Sequence, residues 1–246
     1  YVLFVDSRAA VDADILNVLD QTDARAVNGY ALGVETPGPF ETFYHAVRRA
    51  VFRQFFKQYN DPVYLTPANF DSMPKGTTVF FTEKAVLMRA YQDLSLENMG
   101  KDSSDDTKLL RTLVNYTPVL IHHGVKITSY SRPSFTASIR HLFARGIKFV
   151  DYYLNPALAK FWLVIVLPLL AFFLILAGLI FAPYALLMKI AILMGVDLLI
   201  TLFLARSWRE FRIILLMLPL CAVLFYSGII KGIIQKFLNL FRSRPK

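Results

Sequence analysis

Residues Phe161–Phe181 read FWLVIVLPLLAFFLILAGLIF and contain no charged side chain. A helix of this length reaches about 31 Å at 1.5 Å per residue, which matches the hydrocarbon core of a bilayer. A buried helix of a large soluble protein is the competing interpretation. Two further apolar segments follow this one in the sequence, which favours a membrane-embedded region.

The sequence therefore predicts a transmembrane region over residues 159–246, with spans at about 161–181, 185–204 and 213–230. Asp197 lies near the middle of the second span. An ionisable group at that depth must face protein or water rather than lipid. We interpret Asp197 either as a carboxyl packed between helices or as part of a proton or ion relay.

Basic residues indicate how this region is oriented. Those before the first span and between the second and third are Arg140, Arg145, Lys148, Lys160, Arg206, Arg209 and Arg212. Because positive charge favours the cytoplasmic side, residues 1–160 and 205–212 are predicted to be cytoplasmic in a multi-pass protein of the cell (plasma or inner) membrane. The tail after residue 230 is also basic, so it breaks this rule if the third segment crosses fully. Entry without crossing is the alternative, and three spans are preferred.

Residues 135–158 are predicted to form an amphipathic helix at the membrane interface, because apolar and basic residues share it at helical spacing. The basic tail repeats this pattern. Membrane lipids with anionic headgroups therefore explain the net charge of +9. No nucleic acid partner is predicted, because the basic residues flank apolar segments instead of forming a separate stripe. Cys221 is the only cysteine, which excludes an intramolecular disulfide.

Residues 1–134 read as a soluble α/β domain. The apolar run Tyr1–Val5, closed by Asp6, is typical of a buried strand. Further strands are predicted at 26–34, 77–81, 119–122 and 125–129, and helices at 13–19, 40–56, 83–94 and 107–115.

Three motifs follow one another along this domain. They are Asp6-Ser7-Arg8 at a strand end, Gly76-Thr77-Thr78 at a strand start, and Asp105-Asp106-Thr107-Lys108-Leu109 at a helix start. With the basic amphipathic segment and the membrane spans behind them, they resemble the C-terminal two-thirds of a membrane-bound family 2 glycosyltransferase. The resemblance implies a partial GT-A fold. It also implies that the half binding the nucleotide precedes Tyr1, so that this chain alone is expected not to bind a nucleotide sugar tightly.

The resemblance implies a diphosphate or metal region at Asp6-Ser7-Arg8. Family members usually carry Asp-x-Asp here, which holds a divalent metal on the donor diphosphate. Asp6 matches the first aspartate, whereas Arg8 replaces the second. A guanidinium neutralises a diphosphate but cannot ligate Mg²⁺ or Mn²⁺, so a metal held by Asp6 is in doubt. An ordinary strand-end aspartate beside a surface arginine is the alternative.

The resemblance also implies that Asp106, with Asp105 beside it, supplies the general base that deprotonates an acceptor hydroxyl. Ser103-Ser104-Asp105 is equally an ordinary helix N-cap. The stretch Gly76–Thr78 matches the acceptor-binding strand. His122-His123 is read as a possible base or ligand, although such histidines more often just end a strand. The Gln-x-x-Arg-Trp motif of processive synthases is missing from Ile139–Phe143, which argues against processivity.

The predicted function is that of an inverting glycosyltransferase. It would transfer a sugar from a nucleotide donor to a lipid-linked or glycan acceptor at the cytoplasmic membrane face, as in polysaccharide biosynthesis of the cell envelope. A non-catalytic, membrane-anchored interaction or assembly module is the alternative. A transporter subunit built around Asp197 is a third, weaker hypothesis.

Overall fold

The computed structural model describes residues 1–31, 37–57, 62–94, 105–130, 132, 134–154, 166, 170, 177–178 and 186–242. The chain divides into two compact units, Tyr1–Pro133 and Ser134–Lys246. The first unit is a mixed sheet with helices, and the second is helical where it is described.

The first unit is built on a sheet whose described strands are β1 Val2–Val5, β2 Ala9–Val11, β3 Ala26–Ala31, β4 Val63–Leu65, β5 Val79–Thr82 and β6 Val119–Ser129. Their order is β1-β5-β3-β6-β2, and β4 also pairs with β6. β3 and β6 run parallel, whereas the other pairs are antiparallel. The α/β class predicted from the sequence is confirmed at this level.

The described helices of this unit are α1 Ile15–Asp20, α2 Pro39–Val51, α3 Arg53–Lys57, α4 Lys84–Asp93 and α5 Asp105–Leu113, with a 3₁₀ turn at Phe70–Ser72. Proline at the first position of α2 and the Glu41 carboxylate, which accepts from the Gly38 N–H at 2.7 Å, fix where α2 begins. α1 buries Ile15 and Leu19 against the sheet.

β1 corrects one prediction. The sequence predicts a buried strand, but β1 lies at the edge of the sheet and pairs with β5 on one side. Leu3, Phe4 and Val5 are 36 %, 37 % and 42 % exposed. The prediction was wrong because an apolar run reports residue type and not what covers the strand.

The sequence predicts two strands at 119–122 and 125–129, but the structure has one strand, β6. It continues through His123 and Gly124 with a bulge. Gly29 of β3 pairs with His122, and the next residue, Tyr30, pairs with Lys126. A Cβ on Gly29 would come within 2.7 Å of the Val125 and Ile127 side chains. The residues that follow the bulge therefore pack directly over a glycine. The predicted helix over 40–56 is likewise divided, into α2 and α3.

The second unit contains α6 Phe135–Tyr153, α7 Leu186–Leu204 and α8 Trp208–Arg242. The Ser134 hydroxyl caps α6 by accepting from the Ala137 N–H at 3.1 Å. The predicted span at 161–181 lies outside the described residues, apart from Val166, Leu170, Ala177 and Gly178. The predicted span at 185–204 corresponds to α7, whose described side chains are mostly apolar and exposed.

Within the described part of the chain, one helix is long and apolar enough to cross a membrane. It is α8, with a mean hydropathy of 2.6 over its most apolar window, of which 28 % is buried. At 1.5 Å per residue its 35 residues extend about 52 Å. The predicted third span and the basic tail as far as Arg242 therefore form one continuous helix.

α6 packs against α8 through glycines. A Cβ on Gly228 would lie 2.1 Å from the Phe143 carbonyl oxygen, and one on Gly146 would lie 2.1 Å from the Phe225 carbonyl oxygen. Only glycine permits backbones to approach this closely. Farther along, the Lys236 ammonium donates to the Leu154 carbonyl oxygen.

Candidate functional site

The candidate site lies at the carboxyl-terminal edge of the sheet in the first unit. β1, β3 and β6 end at this edge and β5 begins there, as follows from their pairing. In open, mostly parallel α/β sheets, ligands bind outside the carboxyl ends of the strands. The parallel pair β3 and β6 has its carboxyl ends at this edge. We call this region the carboxyl edge and define it by Asp6, Arg8, Thr78, Tyr130 and Arg132.

Arg8 contacts both oxygens of the Asp6 carboxylate. The Arg8 backbone N–H donates to Oδ1 at 2.9 Å, and its guanidinium Nη2 donates to Oδ2 at 2.9 Å. The Asp6 N–H in turn donates to the Thr78 carbonyl oxygen at 2.8 Å. The structure thus brings together the predicted diphosphate region and the end of the predicted acceptor-binding stretch.

The charge of Asp6 is set by these neighbours. Burial would raise its pKa, but hydrogen bonds from Arg8 and the positive charges of Arg8 and Arg132 outweigh burial and lower it below its ordinary value. A carboxyl with a lowered pKa in the folded state contributes stability above its unfolded pKa, and this contribution is lost as the pH falls through the lowered value. Asp6 is therefore an anion at neutral pH.

Two residues of the carboxyl edge were missed by sequence reasoning. The Tyr130 N–H donates to the Arg8 carbonyl oxygen at 2.8 Å, directly beyond the pairing of Ala9 with Ser129. Arg132 follows two residues later, and its charge acts on Asp6. No motif pointed to Arg132, because more than a hundred residues separate it from Asp6 in the sequence.

The carboxyl edge does not fit a divalent metal. Mg²⁺ and Mn²⁺ take several oxygen ligands, preferably from carboxylates. No group of three His, Cys, Asp or Glu side chains within the described residues is placed to hold a metal. Both oxygens of Asp6 already accept hydrogen bonds from Arg8. A metal would have to displace a guanidinium, so no step of the reaction is assigned to one.

Asp105 and Asp106 lie in the first turn of α5, which begins two residues earlier than predicted. The helix dipole stabilises negative charge there. Asp106 is exposed, whereas Asp105 is half-buried and its Oδ1 has no hydrogen-bond partner among the described residues. An exposed carboxylate can reach a substrate hydroxyl. No contact given by the described residues joins either acid to Asp6 or Arg8, and the predicted cap at Ser103-Ser104 lies outside those residues.

An ionic cluster connects α5 with the segment that leads to Thr78. Asp71 lies 3.8 Å from the Lys75 ammonium and 3.6 Å from the Arg111 guanidinium. The Lys75 and Asp71 side chains are only 7 % and 9 % exposed. The Phe70 ring contacts both cations, at 5.0 Å from Lys75 Nζ and 4.9 Å from Arg111 Cζ. We call Phe70, Asp71, Lys75 and Arg111 the Asp71 cluster.

The stretch Gly76–Thr78 follows the Asp71 cluster directly and is half-buried. It precedes β5 rather than lying in it, because the strand begins at Val79. A Cβ on Gly76 would meet no described atom within 4 Å. The described part of the unit therefore leaves room for a side chain at this position.

His122 lies away from the carboxyl edge, near the start of β6. Its Nδ1 accepts from the Gly124 N–H at 3.0 Å, which supports the bulge. The ring lines a cleft of about 360 Å³ together with Gln21, Thr22 and Tyr64. This hydrogen bond favours a structural role for His122, and the His123 side chain lies outside the described set.

Two residues named from the sequence, Asp197 and Cys221, belong to the second unit. Asp197 of α7 is half-buried, and its Oδ1 has no hydrogen-bond partner among the described residues. Cys221 of α8 is buried and carries a free thiol. Neither shares a unit with the carboxyl edge.

The comparisons with known proteins add no assignment. No family model matches this chain, and no curated protein matches it significantly.

Proposed function

We propose that this chain is the membrane-anchored part of an inverting glycosyltransferase, which transfers a sugar from a nucleotide donor to a lipid-linked or glycan acceptor. The observation that carries the proposal is the hydrogen bond between Asp6 and Thr78 at the carboxyl edge. It joins a charged turn suited to a diphosphate with a half-buried segment suited to an acceptor. In open, mostly parallel α/β sheets, ligands bind outside the carboxyl ends of the strands, and β3 and β6 form the parallel pair of this mixed sheet.

The reaction needs one base and one site of positive charge. Asp106 accepts the proton of the acceptor hydroxyl while the hydroxyl oxygen forms a bond to the anomeric carbon. The bond from that carbon to the donor phosphate breaks, and the nucleoside diphosphate leaves with the electron pair. Arg8 offsets the charge that develops on the leaving group. Attack from the face opposite the leaving group inverts the anomeric configuration.

The membrane anchor suits a lipid-linked acceptor. α8 is long and apolar enough to span a bilayer. A catalytic domain held at the cytoplasmic face meets nucleotide sugars from one side and a lipid-linked acceptor from the other. We propose a multi-pass arrangement in the cell membrane, with residues 1–160 on the cytoplasmic side.

The proposal is tested by a transfer assay on the intact protein in membranes. A panel of labelled nucleotide sugars is offered, and label is followed into lipid-extractable and polymeric products. One donor is expected to yield a product whose anomeric configuration is opposite to that of the donor. Absence of transfer from every donor, with membranes containing correctly folded protein, would contradict the proposal.

A non-catalytic assembly module is the second candidate, and the edge strand β1 favours it. Leu3, Phe4 and Val5 are exposed along β1, and apolar edge strands are common sites of association. In this case Asp106 and Arg8 are ordinary surface residues. The transfer assay separates the two candidates, because a module yields no glycosidic product.

A further inference from the structure

We infer that Arg132 and Arg8 together form a binding site for a diphosphate group that needs no divalent metal. This inference rests on the proposed function and names the residues that replace the metal in it. The carboxyl edge carries one carboxylate from Asp6 and two guanidinium groups, so these three side chains have a net charge of +1. That charge complements a diphosphate, whereas a metal site would need a negative one.

Arg8 is arranged to serve a ligand while it is paired with Asp6. A guanidinium has five N–H donors, and the Asp6 carboxylate takes one of them from Nη2. The Arg8 side chain is 44 % exposed. Asp6 therefore orients Arg8 and leaves donors free for phosphate oxygens.

Arg132 is brought to the same place by the backbone. The pairing of Ala9 with Ser129 and the hydrogen bond from the Tyr130 N–H to the Arg8 carbonyl oxygen carry the end of β6 past the Asp6-Arg8 turn. Arg132 comes two residues after Tyr130, and its charge helps to lower the pKa of Asp6. Two arginines approaching from different strands can contact both phosphates of a diphosphate.

The test is a titration of the full chain in maltoside micelles, which carry no phosphate, with inorganic pyrophosphate in the presence of EDTA, followed by ³¹P NMR. Wild type is expected to bind. Arg132→Gln and Arg8→Gln are each expected to weaken binding about tenfold or more, since each removes charge-assisted hydrogen bonds. Arg132→Lys keeps the charge but loses the bidentate geometry, so its affinity for pyrophosphate should lie between those of Arg132→Gln and wild type.

The matched control is Arg89→Gln. Arg89 is an exposed arginine of the same unit, whose guanidinium lies over the Tyr116 ring at 4.4 Å. This variant should bind pyrophosphate like wild type. Thermal unfolding of all variants shows whether each one is folded before its affinity is compared.

The decisive measurement repeats the pyrophosphate titration with Mg²⁺ in place of EDTA. Mg²⁺ reduces the negative charge of pyrophosphate, so it should weaken binding to an arginine site and strengthen binding to a carboxylate site. Binding that requires Mg²⁺, or that is equal in Arg132→Gln and wild type, would overturn the inference. Either result would leave the outcome of the transfer assay unchanged. A failed transfer assay would likewise leave pyrophosphate binding intact, so the two failures are distinguishable.

Discussion

Asp106→Asn is expected to reduce sugar transfer by the intact protein by about 100-fold to 10,000-fold, the usual contribution of a general base. The amide has nearly the same size as the carboxylate but cannot accept the proton of the attacking hydroxyl. Asp106 is exposed in the first turn of α5, so its replacement disturbs no packing. Initial rates of transfer in membranes measure the effect, and the KM for the donor should change little.

Asp93→Asn is the matched control for this variant. Asp93 is an exposed acid at the end of α4, in the same unit. Its loss removes the same charge without affecting the base, and the transfer rate should equal that of wild type. Asp106→Asn should also insert into membranes normally, since favourable charge at a helix N-terminus contributes only about 0.3–1 kcal/mol. Undiminished turnover in Asp106→Asn would eliminate Asp106 as the base.

Gly228→Ala is expected to destabilise the packing of α6 on α8, by at least about 1–3 kcal/mol. The added methyl would lie 2.1 Å from the Phe143 carbonyl oxygen and 3.1 Å from the Gly146 Cα. These are backbone atoms, which cannot rotate away, so the helices must separate. A larger side chain, as in Gly228→Leu, should separate them fully. Unfolding of the chain in mixed micelles with increasing dodecyl sulfate, followed by the fluorescence of the two tryptophans, measures the loss.

Gly195→Ala is the control, and it should change the stability of the chain in the opposite direction. A Cβ at Gly195 of α7 meets no described atom within 4 Å. Alanine in a helix is favoured over glycine by about 0.5–1 kcal/mol, so this variant should gain stability. If Gly228→Ala were as stable as Gly195→Ala, the close approach of α6 and α8 would be disproved.

The sequence was sufficient for elements whose residue pattern is local. Periodicity and turn residues located α4 to within a residue at each end and the start of α6 at Phe135, whereas α6 ends five residues before the predicted end at 158. The apolar content of Ile213–Ile230 marked the core of α8. It was not sufficient to place β1, because exposure at a sheet edge depends on strand order. The short strands β2 and β4 were missed, since three residues carry no usable period.

The candidate site was predictable only where a motif marks it. Asp6 and Thr78 were found separately, but their hydrogen bond follows from the antiparallel pairing of β1 with β5. Arg132 and the Asp71 cluster have no local signature, because their partners are distant in sequence. The catalytic assignment of Asp106 and Asp105 stays a prediction.

The Asp71 cluster has a consequence for how the first unit opens. Asp71 and Lys75 precede Gly76–Thr78, whereas Arg111 belongs to α5. If α5 detached alone, Asp71 would keep Lys75 as a counterion but lose Arg111. The Phe70 ring would lose its contact with the Arg111 guanidinium at the same time. The two segments therefore form one cooperative unit, whose backbone amides should exchange with solvent together and not one segment at a time.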